Sequence, residues 1–129
     1  MIKLLIVDDS IFSQKVNASC IKKCLKDVNI YFAQNGKDGL EKYKKIRPDY
    51  IMIDLLMPVM SGSELIKEIK KFDNNAKIFV VSADVQKNVK NEIKDYIISF
   101  INKPINDEKA KFICDIIRDD KDGKGNIEV

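Results

Sequence analysis

Short runs of apolar, largely β-branched residues alternate with stretches whose apolar residues recur every third or fourth position, five times along the chain. Lys3 to Val7 reads as a strand, and Phe12, Val16, Cys20 and Cys24 then repeat at every fourth position as a helix stripe. Val28 to Ala33 is a second strand, followed by a helix from Gly36 to Arg47 that Pro48 ends. Tyr50 to Ile53 is a third strand. Ser61-Gly62-Ser63-Glu64 has the pattern of a capping box, opening a helix with Leu65, Ile69 and Phe72 on one face. Lys77 to Val81 is a fourth strand, and Val85, Val89 and Ile93 mark the helix after it. Ile98 to Ile101 is a short fifth strand, and Ile113, Ile116 and Ile117 lie on a last helix. Strict alternation with short connections predicts an α/β fold, a doubly wound parallel sheet of five strands with helices on both faces. The continuous apolar character of strands one, three and four agrees, because such strands are buried on both sides.

A length of 129 residues suits one domain, and 45% hydrophobic residues supply its core. The net charge of +3 selects no partner class. Arg occurs only at Arg47 and Arg118, a poor endowment for reading bases, so direct DNA binding is not expected. No apolar run approaches the roughly 18 residues that span a membrane. Three cysteines, Cys20, Cys24 and Cys114, with no signal peptide, point to a reducing cytosol. The chain has no His, so a zinc site lacks ligands; the cysteines read as small apolar residues on a buried helix face.

In an open parallel sheet, ligands bind outside the carboxyl ends of the strands. Here those ends carry Asp8 and Asp9, Asp54, Ser82, and Asn102 with Lys103. Taken singly, each has an ordinary explanation: Ser10 or Asp9 could cap the first helix, Ser82 could sit in a turn, and Lys103 could be solvated. Together they make a chemical set. Clustered carboxylates repel, and a hard divalent cation relieves the repulsion. Oxygen donors without His or Cys suit magnesium or calcium, and a few carboxylates plus waters suit magnesium. A nearby ammonium and hydroxyl supply a phosphoryl group with counter-charge and a hydrogen-bond donor. A carboxylate beside the metal can attack phosphorus, forming an aspartyl phosphate.

With these residues in view, the chain resembles the receiver domains of two-component response regulators. The resemblance spans residues 2 to about 118. It rests on Val7-Asp8-Asp9-Ser10, on Asp54-Leu55-Leu56-Met57-Pro58 with Gly62 beyond, on Ser82-Ala83, and on Phe100 ahead of Lys103-Pro104. It implies a flavodoxin-like (βα)5 fold with strand order 2-1-3-4-5. It implies that Asp54 is the phosphoacceptor, that Asp9 binds magnesium directly, and that Asp8 acts mainly through water. The backbone carbonyl of Leu56 is a further implied metal ligand. Lys103 and Ser82 are implied to contact phosphoryl oxygens, Ala83 to leave the approach open, and Pro104 to follow a cis peptide. Phe100 falls at the aromatic switch position. The implied donor is a sensor histidine kinase, a phosphotransfer protein or a small acyl phosphate. The output partner is open, a homodimer is admitted, and the compartment is the cytoplasm. The module is a signalling phosphoacceptor that assists its own phosphorylation and dephosphorylation, and is not expected to be an enzyme that turns over substrate.

The chain departs from the family at several points. Tyr96-Ile97 stands where Gly-Ala is common, and Phe100 lacks the hydroxyl of the commoner Tyr. Leu56 and Asp84 occupy positions that tune phosphoryl lifetime in the family, and an apolar Leu56 cannot orient an attacking water, which implies slow self-dephosphorylation. A haloacid-dehalogenase-type phosphatase would need Asp at residue 10, where Ser10 stands. A receiver-like binding module without phosphoryl chemistry is disfavoured by the complete acidic set. No G-x-G-x-x-G follows the first strand, against a dinucleotide site. Residues 1–118 are expected to form the domain and 119–129 a polar, flexible tail, too short for an output domain; the chain is a stand-alone regulator or a piece of a longer protein. Asp120 to Ile127 resembles the front half of an EF-hand loop, but Lys124 stands at its fifth position and the twelfth is missing.

Overall fold

The computed structural model describes residues 1–83 and 86–121. Its elements alternate throughout: β1 (Ile2–Val7), α1 (Ile11–Cys24), β2 (Val28–Ala33), α2 (Gly36–Ile46), β3 (Tyr50–Ile53), α3 (Gly62–Phe72), β4 (Ile78–Ser82), α4 (Lys87–Ile93), a 3-10 turn over Lys94–Tyr96, β5 (Ser99–Asn102) and α5 (Asp107–Lys121). The strands form one parallel sheet in the order β2-β1-β3-β4-β5. This is the flavodoxin-like arrangement that the resemblance implied.

Successive strand residues point to opposite faces, and the two cores follow that period. Leu4 and Ile6 face a core with Ala18 and Ile21 of α1 and Ile113 and Ile117 of α5. Leu5 and Val7 face a second core with Leu65, Ile66 and Ile69 of α3 and Tyr43 of α2. Every residue of β3 and β4 is buried, as two-sided coverage requires. Each buried Leu or Ile contributes roughly 1.5–3 kcal/mol relative to exposure.

Local signals set the helix starts. The Ser10 side chain accepts from Ser13 N, and Ser61 accepts from Glu64 N while its hydroxyl lies 3.3 Å from the Glu64 carboxylate. Asn35 caps α2 in the same way.

Three features differ from expectation. The stripe through Phe12 is not the buried face of α1. Phe12 is 77% exposed, Val16, Cys20 and Cys24 are partly buried, and Gln14, Asn17, Ala18 and Ile21 are buried instead. The first turn of α1 lies at the carboxyl edge of the sheet, where polar Gln14 is satisfied by carbonyls of Asp8 and Ala33. Second, α5 runs three residues beyond residue 118, and the Asp120 carboxylate accepts bonds from the Tyr50 hydroxyl and the Lys77 ammonium. Third, the reading of all three cysteines as reduced packing residues is corrected. Cys24 of α1 and Cys114 of α5 are joined as a disulfide with Cα atoms 6.3 Å apart, because the two helices pack side by side; Cys20 keeps a free thiol. Val85, Asp84 and most of the EF-hand-like segment lie outside the described residues. No helix among the described residues is long and apolar enough to cross a membrane.

Candidate functional site

Strand register brings the acidic residues to one edge. Asp8 N donates to Ala33 O at 3.0 Å and Asp54 N donates to Val7 O at 3.0 Å, so the ladder fixes where β1 and β3 stop. Ser82 pairs with Asn102, and Lys103 N donates to Ser82 O, which puts the ends of β4 and β5 alongside. Asp8, Asp54 and Ser82 are buried at this edge, while Asp9 is exposed.

One carboxylate oxygen each from Asp8, Asp9 and Asp54 lie within 4.8 Å of one another. Like charges that close repel by on the order of 3 kcal/mol per pair at an effective dielectric of about 20. Lys103 answers part of this. Its Nζ lies 2.8 Å from Asp8 Oδ2 and 2.8 Å from Asp54 Oδ2. Burial alone would lower its pKa, but the hydrogen bonds and charges of Asp54 and Asp8 outweigh burial and hold the ammonium above its usual range. Three carboxylates against one ammonium leave local negative charge. The donors are all oxygen, and exposed Asp9 leaves the cluster open to solvent; this set fits a hard divalent cation.

Each carboxylate is held on several sides. The Ser82 hydroxyl donates to Asp54 Oδ1 at 2.7 Å, and Leu56 N donates to the same oxygen at 3.1 Å. The Ser13 hydroxyl donates to Asp8 Oδ2 at 2.6 Å, and Ser10 N donates to Asp8 Oδ1 at 2.9 Å. Ser10 serves as the helix cap, which leaves Asp9 without that duty. The Lys103–Pro104 peptide is cis, as the resemblance implied.

The structure thus brings Asp8, Asp9, Asp54, Ser82 and Lys103 together, with Leu56 beside them through its backbone. Phe100 stands apart. It pairs with Val80 in the ladder, packs half-buried against the α3 side of the sheet, and carries Lys90 Nζ 4.4 Å above its ring. Sequence reasoning missed Ser13 and Gln14, which brace Asp8 by side chain and backbone. Their only sequence trace is a polar pair in the first turn after the acids, a pattern shared by many helix starts. The rim is apolar: Ile11, Phe12, Leu56 and Val59 are exposed large hydrophobics.

Residues 4–113 match the response regulator receiver domain. The chain is 41% identical over 101 residues to chemotaxis protein CheY of Thermotoga maritima, covering 74% of this chain and 83% of that protein. It is 35% identical over 114 residues to chemotaxis protein CheY of Listeria monocytogenes, covering 85% and 92%. Among solved structures, it resembles a chain of the CheX-CheY-BeF3-Mg complex from Borrelia burgdorferi at 28% identity and TM-score 0.80, covering 91% of this chain and 87% of that one. A family match across the five-stranded sheet and its acidic edge means that this chain belongs to the response regulator receiver domain family.

Proposed function

We propose that this receiver domain takes a phosphoryl group onto Asp54 from the phosphohistidine of a sensor kinase or phosphotransfer protein, in a magnesium-dependent reaction. The observation that carries the reading is the pairing of Asp54 with Lys103 and Ser82, a cation and a hydroxyl on opposite oxygens of one buried carboxylate. A carboxylate oxygen of Asp54 attacks phosphorus, the phosphorus–nitrogen bond breaks, and the imidazole leaves carrying a proton. Asp8, Asp9, Asp54 and the Leu56 carbonyl would hold magnesium, which neutralises charge on the transferring group. Lys103 and Ser82 then turn to the phosphoryl oxygens. The apolar rim of Phe12, Leu56 and Val59 gives a donor protein a surface to pack on. A cytoplasmic setting belongs to this reading.

The signal leaves through strand five. Ser82 drawn toward the phosphoryl group vacates space near β4, and Phe100 on the neighbouring strand turns inward. Its ring leaves Lys90 as it moves and gains apolar burial with no hydroxyl to satisfy. Phosphorylation acts only as far as it favours that state, so this is a population shift.

The experiment is incubation with acetyl phosphate and magnesium, read by intact mass. Wild type gains one phosphoryl group and Asp54→Asn gains none. An unchanged wild-type mass leaves a binding-only module, and a labelled Asn variant removes Asp54 as acceptor. Fluorine-labelled Phe, read by NMR in the same samples, moves at Phe100 if the ring is part of the switch and stays still if it is a core aromatic.

A further inference from the structure

We infer that Cys24 and Cys114 form a reversible thiol–disulfide site that fastens α1 to α5 under oxidising load and releases it on reduction. Cys114 is fully buried between the helices and Cys24 is partly exposed at the end of α1. Their Cα atoms, 6.3 Å apart, lie in the range that a disulfide spans. Acceptors for the reduced form surround the link. In the linked form the carbonyls of Ile21 and Ala110 lie 3.5 and 3.6 Å from Cys24 Sγ, and that of Ile21 lies 3.7 Å from Cys114 Sγ. Reduction frees the two sulfurs to part by side-chain rotation, and each thiol then has a carbonyl acceptor nearby, so the link can open with the helices in place. Cys20, one turn earlier, faces the start of α5, where burial and the Asp107 carboxylate push its thiol up. It is a poor thiolate, so it does not compete for the link.

The two helices are not incidental supports. Ile11 opens α1 directly after Asp8-Asp9-Ser10, and Asp107 opens α5 shortly after Lys103-Pro104. The link bridges a sequence separation of 90 residues that contains Asp54, Ser82 and Lys103. Oxidation therefore ties together the helices that follow the two halves of the acidic site.

The oxidant is a small-molecule disulfide such as oxidised glutathione. The Cys24 thiolate, the more accessible, attacks one of its sulfurs and expels a glutathione thiolate. The Cys114 thiolate then attacks Cys24 Sγ and expels the second. The protein loses two protons and two electrons, and one glutathione disulfide becomes two thiols.

The test uses the whole chain, equilibrated natively with oxidised glutathione or with dithiothreitol, then alkylated and weighed. Oxidised protein should carry one alkylated thiol and yield a Cys24–Cys114 cross-linked peptide, and reduced protein should carry three. Closing so long a loop should raise the melting temperature by about 10 °C over the reduced form. Amide exchange in α5 should slow by roughly tenfold on oxidation. Cys20→Ser should keep these differences, and Cys24→Ser should erase them. Three alkylated thiols at every glutathione ratio, a link through Cys20, a bond that dithiothreitol leaves intact, or a melting temperature indifferent to redox state would each overturn the inference.

Discussion

Lys103 is the residue on which the resting site turns. Its ammonium sits between Asp8 Oδ2 and Asp54 Oδ2, where it offsets the repulsion that any divalent cation would otherwise offset. On the proposed reading, a bound metal and the lysine would compete for the same carboxylate charge. Lys103→Met keeps the stem and removes the charge, so it should raise magnesium affinity roughly tenfold or more. It should also lower the metal-free melting temperature, because the acids face one another unanswered. Titration of magnesium against thermal unfolding checks both. Equal or weaker magnesium binding by the variant would mean that Lys103 and the metal do not share these oxygens.

The β3–α3 connection is the element that shapes the site, and it carries its own strain. Gly62 must be glycine for space, since a Cβ there would come 2.4 Å from Asp54 O and 2.6 Å from Leu55 Cα. That close approach seats α3 directly behind the end of β3. Val59, earlier in the same loop, has φ 72°, a left-handed conformation that suits glycine and not a β-branched residue. Its side chain is 81% exposed, so nothing is packed against it to lose. The left-handed conformation costs a non-glycine residue roughly 1–2 kcal/mol, and glycine's extra unfolded freedom returns about 0.5–1 kcal/mol of that. Val59→Gly should therefore stabilise the fold by about 0.5–1 kcal/mol, raising the melting temperature by a few degrees. A fall on calorimetry would show that the loop does not hold this strain.

At the scale of the whole molecule, the edge opposite the acids has a clasp. Tyr50 from β3 and Lys77, next to β4, both bond the Asp120 carboxylate near the end of α5. Hydrogen bonds from Lys77 and then Tyr50 lower the Asp120 pKa against a smaller opposing effect of burial. A carboxyl lowered on folding adds stability above its unfolded pKa of about 3.9, and loses it as pH falls through the lower folded value. The clasp is near the surface, so its contribution is modest. Asp120→Asn should cost about 1 kcal/mol or less at neutral pH. The gap from wild type should hold down to about pH 4 and close below it. Urea unfolding at a series of pH values measures this; a gap that persists at pH 2 would assign the loss to packing instead of charge.

Period and punctuation in the sequence were enough for the fold class: two-residue alternation inside apolar runs, four-residue recurrence between them, Ser61 with Glu64 at a helix start, and Pro48 after a helix end. These are local signals, and parallel strands separated by helices leave few topologies. The acids and Lys103 were legible for a related reason, because strand ends in such a sheet share one edge and the residues there, ordinary one by one, make a single chemical set together. Strand order came from resemblance and not from the pattern, since alternation alone does not say which strands are neighbours. What lay beyond the sequence required contacts between distant segments. The α1 stripe was misread because periodicity gives a face but not the ground beneath it, and Phe12 overhangs the strand ends. Ser13 and Gln14 brace Asp8 only once β1 and β2 bring its backbone and that of Ala33 into reach. The Cys24–Cys114 link and the Tyr50–Asp120 clasp join residues ninety and seventy positions apart, and no local rule reaches across such distances.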